Sequence, residues 1–386
     1  MSPLSPSSSP PAGAAARALA DKRLCRDGQV GSGAGCWDAP PITPGSRPMS
    51  TTPDTVVDAG KGIRFKRNTS DVIPVLDFSP MLSSDPEIRR EIAPALRKAC
   101  TDVGFFYLVN HGIPDAVIRR AYQAMQRYFA LPAAEKMKRH YMSTPNHRGY
   151  VGNGDINADH ELKGNDMHEA FEAAHDLPED DPDYLKGIKF YGPNQWPDAP
   201  PEFASALGTY FDTQLEFGKT MLRAFALALE LPETYFDAMY TKPMSRMRAC
   251  YYPPQQPDWD LSKIGIGAHR DYELFTTVWQ SPQPGLQVKG VGGDWIEVTP
   301  IDGTFVINLG NLMQRWSNDV FLSRPHRVVN LTTEHRYSIV QFFGVDYDAA
   351  LDAFPTCVTP ERPARYPVIS CGKNTEDQVA QTYYKK

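Results

Sequence analysis

Cysteine is sparse in this chain and never paired along it. Cys25, Cys36, Cys100, Cys250, Cys357 and Cys371 are scattered, with no Cys-x-x-Cys. That spacing argues against a zinc ribbon or a disulfide framework, so reduced thiols in a cytoplasmic protein are expected. Long hydrophobic runs are missing too: no apolar stretch approaches the ~20 residues that span a bilayer, and no membrane association is expected. Charge of one sign does not dominate. A net charge of −6 gives no support for nucleic-acid binding, which favours a clustered basic face. Neither long internal repeats nor the strand–glycine–helix unit of a dinucleotide fold occurs. What remains is an ordinary globular composition, long enough for one large core or two smaller ones. Asn68-Thr69-Ser70 and Asn330-Leu331-Thr332 match the glycosylation pattern, but without a secretory signal they read as chance matches.

Residues 1–60 are rich in Pro, Ser, Gly and Ala, with little to bury, and are expected to be disordered. Arg17, Lys22, Arg23 and Arg26 would suit a transit peptide, but Asp21 and Asp27 count against one. A mixed region, 70–200, opens on the strand pattern "VIPVLDFSP" (72–80). A helical pattern follows, with Ile88, Ile92, Leu96 and Cys100 at spacing four. "GFFYLVNHG" (104–112) reads as a buried strand, and Val117, Ala121, Met125 and Phe129 mark a second helix. Between 139 and 200 the periodicity is poor and loops are expected. A long helix over about 201–230, within a connecting region 201–243, carries Phe203, Leu207, Phe211, Leu215, Leu222 and Leu229 on one stripe. From 244 to 360 short strands alternate with Gly/Pro turns, as in an all-β sandwich or barrel. A C-terminal tail, 361–386, follows.

Within the β-rich half, His269 and Asp271 in "GAHRDYELF" are two apart, so on a strand they point to one side. His326 in "SRPHRVV" lies several strands later, where a double-layered sheet can bring it back to the same end. Two imidazoles and one carboxylate, leaving open positions, is the facial arrangement of non-haem Fe(II) oxygenases. Arg336 and Ser338 alternate on one strand face, offering a planar cation and a hydroxyl to a carboxylate. Tyr252, before Pro253-Pro254, could add a phenol hydroxyl. Each of these has a plainer reading as a packed or surface residue; their order, separation and β context together favour the metal site.

From about 72 to 360 the chain resembles the isopenicillin N synthase-like family of Fe(II)/2-oxoglutarate-dependent dioxygenases. "IPVLDFS", "GFFYLVNHGIP", "YYPP", "IGAHRDYELFT", "PGLQV", "FVINLGNLMQRWSND", "RPHRVV" and "RYSIVQFF" stand in family order. The resemblance implies an α+β fold: a double-stranded β-helix (jelly-roll) core with flanking helices and a helix-rich N-terminal half. It implies Fe(II) on His269, Asp271 and His326, and Arg336 and Ser338 at the far carboxylate of 2-oxoglutarate with Tyr252 nearby. O2 is the other cosubstrate, succinate and CO2 are products, and a small-molecule substrate is oxidised. No catalytic residue beyond the metal ligands is called for. Many relatives carry Thr between the first two ligands, where this chain has Arg270. Arg270, Glu273 and Phe343 are substrate candidates by family position, as are the segments 147–152 and 167–178. "GIGAHRDY" and "GPNQWPDAP" also resemble ethylene/succinate-forming enzymes, which suggests arginine, another amino acid or a small metabolite. No sequence feature specifies the oligomeric state.

Other readings fit less of the chain. His269-Arg270-Asp271 matches a kinase catalytic loop, but Thr276 stands where its Asn belongs and no Asp-Phe-Gly follows. A zinc hydrolase would use the same three ligands and leave Arg336-x-Ser338 unexplained. An oxidase working without 2-oxoglutarate shares the fold, and a non-catalytic jelly-roll module has no need of three intact ligands. Met49 reads as an alternative start of translation. Mass spectrometry of the native protein is then expected to find its N-terminus at Met49, and a peptide from residues before it would refute that start.

Overall fold

Short apolar strands broken by Gly/Pro turns carry the chain back and forth between two sheets. The computed structural model describes residues 56–58, 64–67, 72–156, 158, 166–255 and 264–383, all within one compact unit. Arg246–Tyr252, Phe275–Gln280, Phe305–Leu309 and Arg336–Phe343 belong to an eight-stranded sheet. Ile266–His269, Leu286–Lys289, Trp295–Glu297 and His326–Val328 belong to a six-stranded sheet. These strands pair antiparallel throughout. Such a double-layered roll is the expected jelly-roll core, and with its helices the fold is α+β.

The N-terminal part is built into the same sheets. Val75–Asp77 and Phe105–Val109 extend the eight-stranded sheet at one edge, and Glu169–Ala174 and Gly149–Val151 extend it at the other. Val56–Asp58 and Arg64–Arg67 join the six-stranded sheet beside Trp295–Glu297. The first of these falls inside the stretch 1–60 read as disordered; the rest of that stretch, with Cys25, Cys36 and Met49, lies outside the described residues, as does Asn68. The strand Glu169–Ala174 reads "EAFEAA", a run of good helix formers with no alternation. Burial on both faces holds it extended, so tertiary pairing overrides propensity. Poor periodicity between 139 and 200 therefore hid two strands.

The helix read through Ile88 and Cys100 is two helices, Pro86–Arg90 and Ala93–Asp102. Pro94 is the physical reason: it has no N–H to give and is tolerated only in a first turn, so the helix restarts there. The long helix Phe203–Ala228 matches its stripe. Cys100, Cys250, Cys357 and Cys371 are free and buried. Asn330 is buried, its side chain donating to the Pro253 carbonyl at 2.8 Å, which suits the chance-match reading of its glycosylation pattern. Among the described residues no helix is long and apolar enough to cross a membrane.

Alternation sorts each strand of the eight-stranded sheet between two cores. Met247, Ala249, Tyr337, Ile339 and Phe343 face the helices, while Cys250, Tyr252, Val278 and Val306 face the space between the sheets. Phe343 stacks on Phe275 at 4.4 Å and fills the gap left by Gly218 of the long helix, where a Cβ would come within 2.4 Å of its ring. Phe343→Ala is expected to cost roughly 3–5 kcal/mol of stability, read by urea unfolding.

Candidate active site

The antiparallel pairing of Ile266–His269 with His326–Val328 sets His269 directly opposite His326. Their rings lie 4.4 Å apart, and Asp271, just past the first strand, brings Oδ1 to 3.6 Å from the Nε2 atom of each. One ligand atom from each of the three residues falls within 4.8 Å of the others, close enough to share one ion. Backbone carbonyls fix the rings. His269 Nδ1 donates to Gly267 O at 2.8 Å and His326 Nδ1 to Arg324 O at 3.3 Å, which leaves both Nε2 lone pairs for a metal.

Asp271 is oriented just as firmly. Its Oδ2 accepts from Thr276 Oγ1 at 2.5 Å and Asn308 Nδ2 at 2.6 Å, turning Oδ1 toward the histidines. Burial works to raise its carboxyl, but His326, His269 and these two hydrogen bonds hold it below the usual carboxylate range. Burial and the neighbouring His326 push His269 down to about 4, so its imidazole is neutral and free to ligate at neutral pH.

Farther along the inter-sheet space, Arg336 pairs across the ladder with Tyr252, and Ser338 with Cys250 and Gln280. Arg336 is 1% exposed, yet its Nε and Nη1 have no hydrogen-bond partner. Nη2 donates to Gln280 Oε1 at 3.1 Å, and the guanidinium lies 4.6 Å from the Tyr252 ring centre. Gly285 leaves room beside it, since a Cβ there would sit 3.0 Å from Arg336 Nε. A buried cation with two idle donors fits an anionic ligand such as a carboxylate.

A cavity of about 270 Å³ is walled by Tyr141, His147, Phe190 and, from the helix Cys371–Tyr383, Val379 and Ala380. Glu172 and Arg246 line it as well. Glu172 is buried and pairs with Arg246 Nε at 3.1 Å and Arg248 Nε at 2.5 Å; burial works to raise its carboxyl, but the two guanidiniums hold it low. His168, just before the strand Glu169–Ala174, stacks on Tyr252 at 5.8 Å. Burial pushes it down to about 3, its Nδ1 donates to Gly265 O at 3.0 Å, and its buried Nε2 is without a partner.

The three metal candidates thus come together, and so do the anion candidates Arg336, Ser338 and Tyr252, whereas the substrate candidates divide. Glu273 is half-buried near Asp271 and Arg246; burial, then Asp271, raise it to about 7. Arg270 donates to the Ser323 carbonyl, which ties the first ligand pair to the segment before His326. Phe343 is a correction: it stands on the opposite strand face from Arg336 and Ser338, in the helix-side core, and packing takes its whole side chain. The segments 147–152 and 167–178 both reach the cavity, through His147 and Glu172. The C-terminal stretch read as a tail carries a cavity-lining helix. Sequence reading missed Thr276 and Asn308, although Asn308 is a polar residue inside the apolar strand "FVINL".

Residues 73–199 match the family model "non-haem dioxygenase in morphine synthesis N-terminal", and residues 243–345 match the 2OG-Fe(II) oxygenase superfamily. The chain is 34% identical over 319 residues to the 2-oxoglutarate-Fe(II) type oxidoreductase hxnY of Emericella nidulans, spanning 80% of this chain and 89% of that one. It is also 34% identical to a homoarginine-6-hydroxylase of Arabidopsis thaliana, over 74% of this chain and 88% of that one. Among solved structures, a full-length Neurospora crassa protein in complex with alpha-KG superposes with a TM-score of 0.71 at 29% identity, covering 81% of this chain and 96% of that one.

Thr276→Val removes one of the two donors that turn Asp271 while keeping the side chain's shape. It is expected to weaken divalent-metal binding roughly 10–100-fold, measured by equilibrium titration with Co(II) in the absence of O2.

Proposed function

The chain belongs to the 2OG-Fe(II) oxygenase superfamily, and from that membership we propose how its residues divide the work. It is an oxidoreductase that couples oxidative decarboxylation of 2-oxoglutarate to the oxidation of a small molecule, using Fe(II) and O2. Bound iron supplies the redox chemistry that turns 2-oxoglutarate and O2 into succinate, CO2 and an oxidised substrate. We assign His269 Nε2, His326 Nε2 and Asp271 Oδ1 to the ferrous ion; Gly267 and Arg324 hold the rings, and Thr276 and Asn308 hold the carboxylate.

One observation carries the cosubstrate assignment. Arg336 is a buried guanidinium whose Nε and Nη1 have no partner in the protein. The far carboxylate of 2-oxoglutarate would satisfy both, with Ser338 and the Tyr252 hydroxyl beside it. A zinc hydrolase gives those donors no such ligand.

The cavity over Glu172 and Arg246 is our assignment for the substrate. Its ionic floor and apolar walls suit a small polar molecule with a compact hydrophobic or planar body. The names of relatives lend support: several are homoarginine-6-hydroxylases, and the Neurospora crassa protein was also solved with thymine. We therefore favour hydroxylation over ethylene release as the outcome.

Anaerobic reconstitution with Fe(II), then O2 and 2-oxoglutarate, tests this with L-arginine, L-homoarginine and thymine as probes. Succinate formation is the readout, and headspace ethylene reports the other outcome in the same vial. Absence of 2-oxoglutarate turnover in the iron-loaded protein would overturn the assignment. Arg336→Ala leaves the anion without its cation and is expected to cost about 2–5 kcal/mol, roughly 30-fold to several-thousand-fold in 2-oxoglutarate affinity, with Fe(II) binding retained. Isothermal titration of 2-oxoglutarate checks it.

A further inference from the structure

The strand Ile266–His269 is the last in its sheet, with His326–Val328 on one side only. An edge strand that carries a metal ligand needs its other side held, because unpaired backbone groups there leave it soft. Three consecutive residues hold this strand and the two residues that lead into it. Asp166 Oδ1 accepts from Gly267 N at 2.8 Å, Met167 N donates to Ile264 O at 2.8 Å, and His168 Nδ1 donates to Gly265 O at 3.0 Å. Gly267 is the same residue whose carbonyl takes the His269 Nδ1 proton. The second oxygen of Asp166 accepts from Ala158 N at 2.8 Å, and its backbone N–H donates to the carbonyl of Ile156, a cavity-lining residue. Asp166 itself is 2% exposed.

We propose that Asp166 is a positioning residue for the metal: its carboxylate clamps Gly267 from the edge side, sets the direction of His269, and ties that ligand to the cavity wall. This rests on His269 being an iron ligand. Asn at this position is nearly isosteric, but it must turn an NH2 toward one of the two amide N–H groups, so one bond is lost. Asp155 belongs to the same segment, accepting from Gly152 N at 2.7 Å and meeting His140 Nε2 at 2.9 Å. No hydrogen bond joins it to residues 264–269 among the described contacts, so it serves as the control.

The test titrates Fe(II) anaerobically into the full-length protein with 2-oxoglutarate present, following the visible absorption of the ferrous chelate, at a temperature where every variant is folded. Asp166→Asn is expected to raise the Fe(II) dissociation constant about 10–100-fold and to change the absorption band. Asp155→Asn is expected to match the wild type. Asp166→Glu keeps the charge but cannot keep both bonds at 2.8 Å, and is expected to fall between; it stands in for Asn if that variant does not fold. Saturating iron should bring 2-oxoglutarate affinity in Asp166→Asn back to within a few-fold. Equal Fe(II) binding by wild type and the Asp166 variants overturns the proposal. So does equal weakening by the Asp155 and Asp166 substitutions, which would mean that only the fold of the segment matters. If the wild type binds no Fe(II), the ligand assignment itself fails, and this inference with it.

Discussion

Everything at the active end of this molecule depends on one ladder contact, the antiparallel pairing that sets His269 against His326. Side chains alternate along a strand, so a slip of one residue would turn one imidazole to the other face of the sheet. With the register in place, Asp271 reaches both rings from just beyond the strand end. Thr276 and Asn308 then need only rotate its carboxylate. These two donors come from neighbouring strands of the opposite sheet, Phe275–Gln280 and Phe305–Leu309. The metal candidate is therefore a junction between the two layers of the roll.

The interior between those layers is graded. At one end stands Arg336, a cation with idle donors beside Tyr252. His168 stacks on the same tyrosine ring, and along the strand from Tyr252 come Arg248, which pairs with Glu172, and Arg246, which lines the cavity. Residues 246, 248, 250 and 252 share one face of a single strand, so one stretch of backbone runs from the tyrosine beside Arg336 to the cavity floor. Polar groups at this depth are tolerated because they are paired or await a ligand, while the helix-side core takes the aromatic packing, Phe343 included.

Legibility followed periodicity and separation along the chain. The jelly roll could be read because its strands are short, apolar and bounded by Gly and Pro, and the helix Phe203–Ala228 because its stripe is long. The strand Glu169–Ala174 could not be read: its residues favour a helix, and only burial between neighbours keeps them extended. The break at Pro94 and the cavity wall made by Cys371–Tyr383 show the two ways a local pattern misleads, by overrunning a proline and by saying nothing of what a terminal helix packs on. Phe343 was misjudged because family position places a residue along a strand, whereas alternation decides which core it enters.

By itself the sequence determined the chemistry available here: two imidazoles, a carboxylate, and a guanidinium with its hydroxyl, each in a context that alternates on a strand. Donor type is a property of a side chain and survives in one dimension. Only the tertiary structure decided which groups orient those donors, because Thr276, Asn308 and Asp166 act through hydrogen bonds of 2.5–2.8 Å to residues that folding alone brings within reach. Hydrogen-bond direction is a property of relative position, and relative position across two sheets is written in no local stretch of the chain.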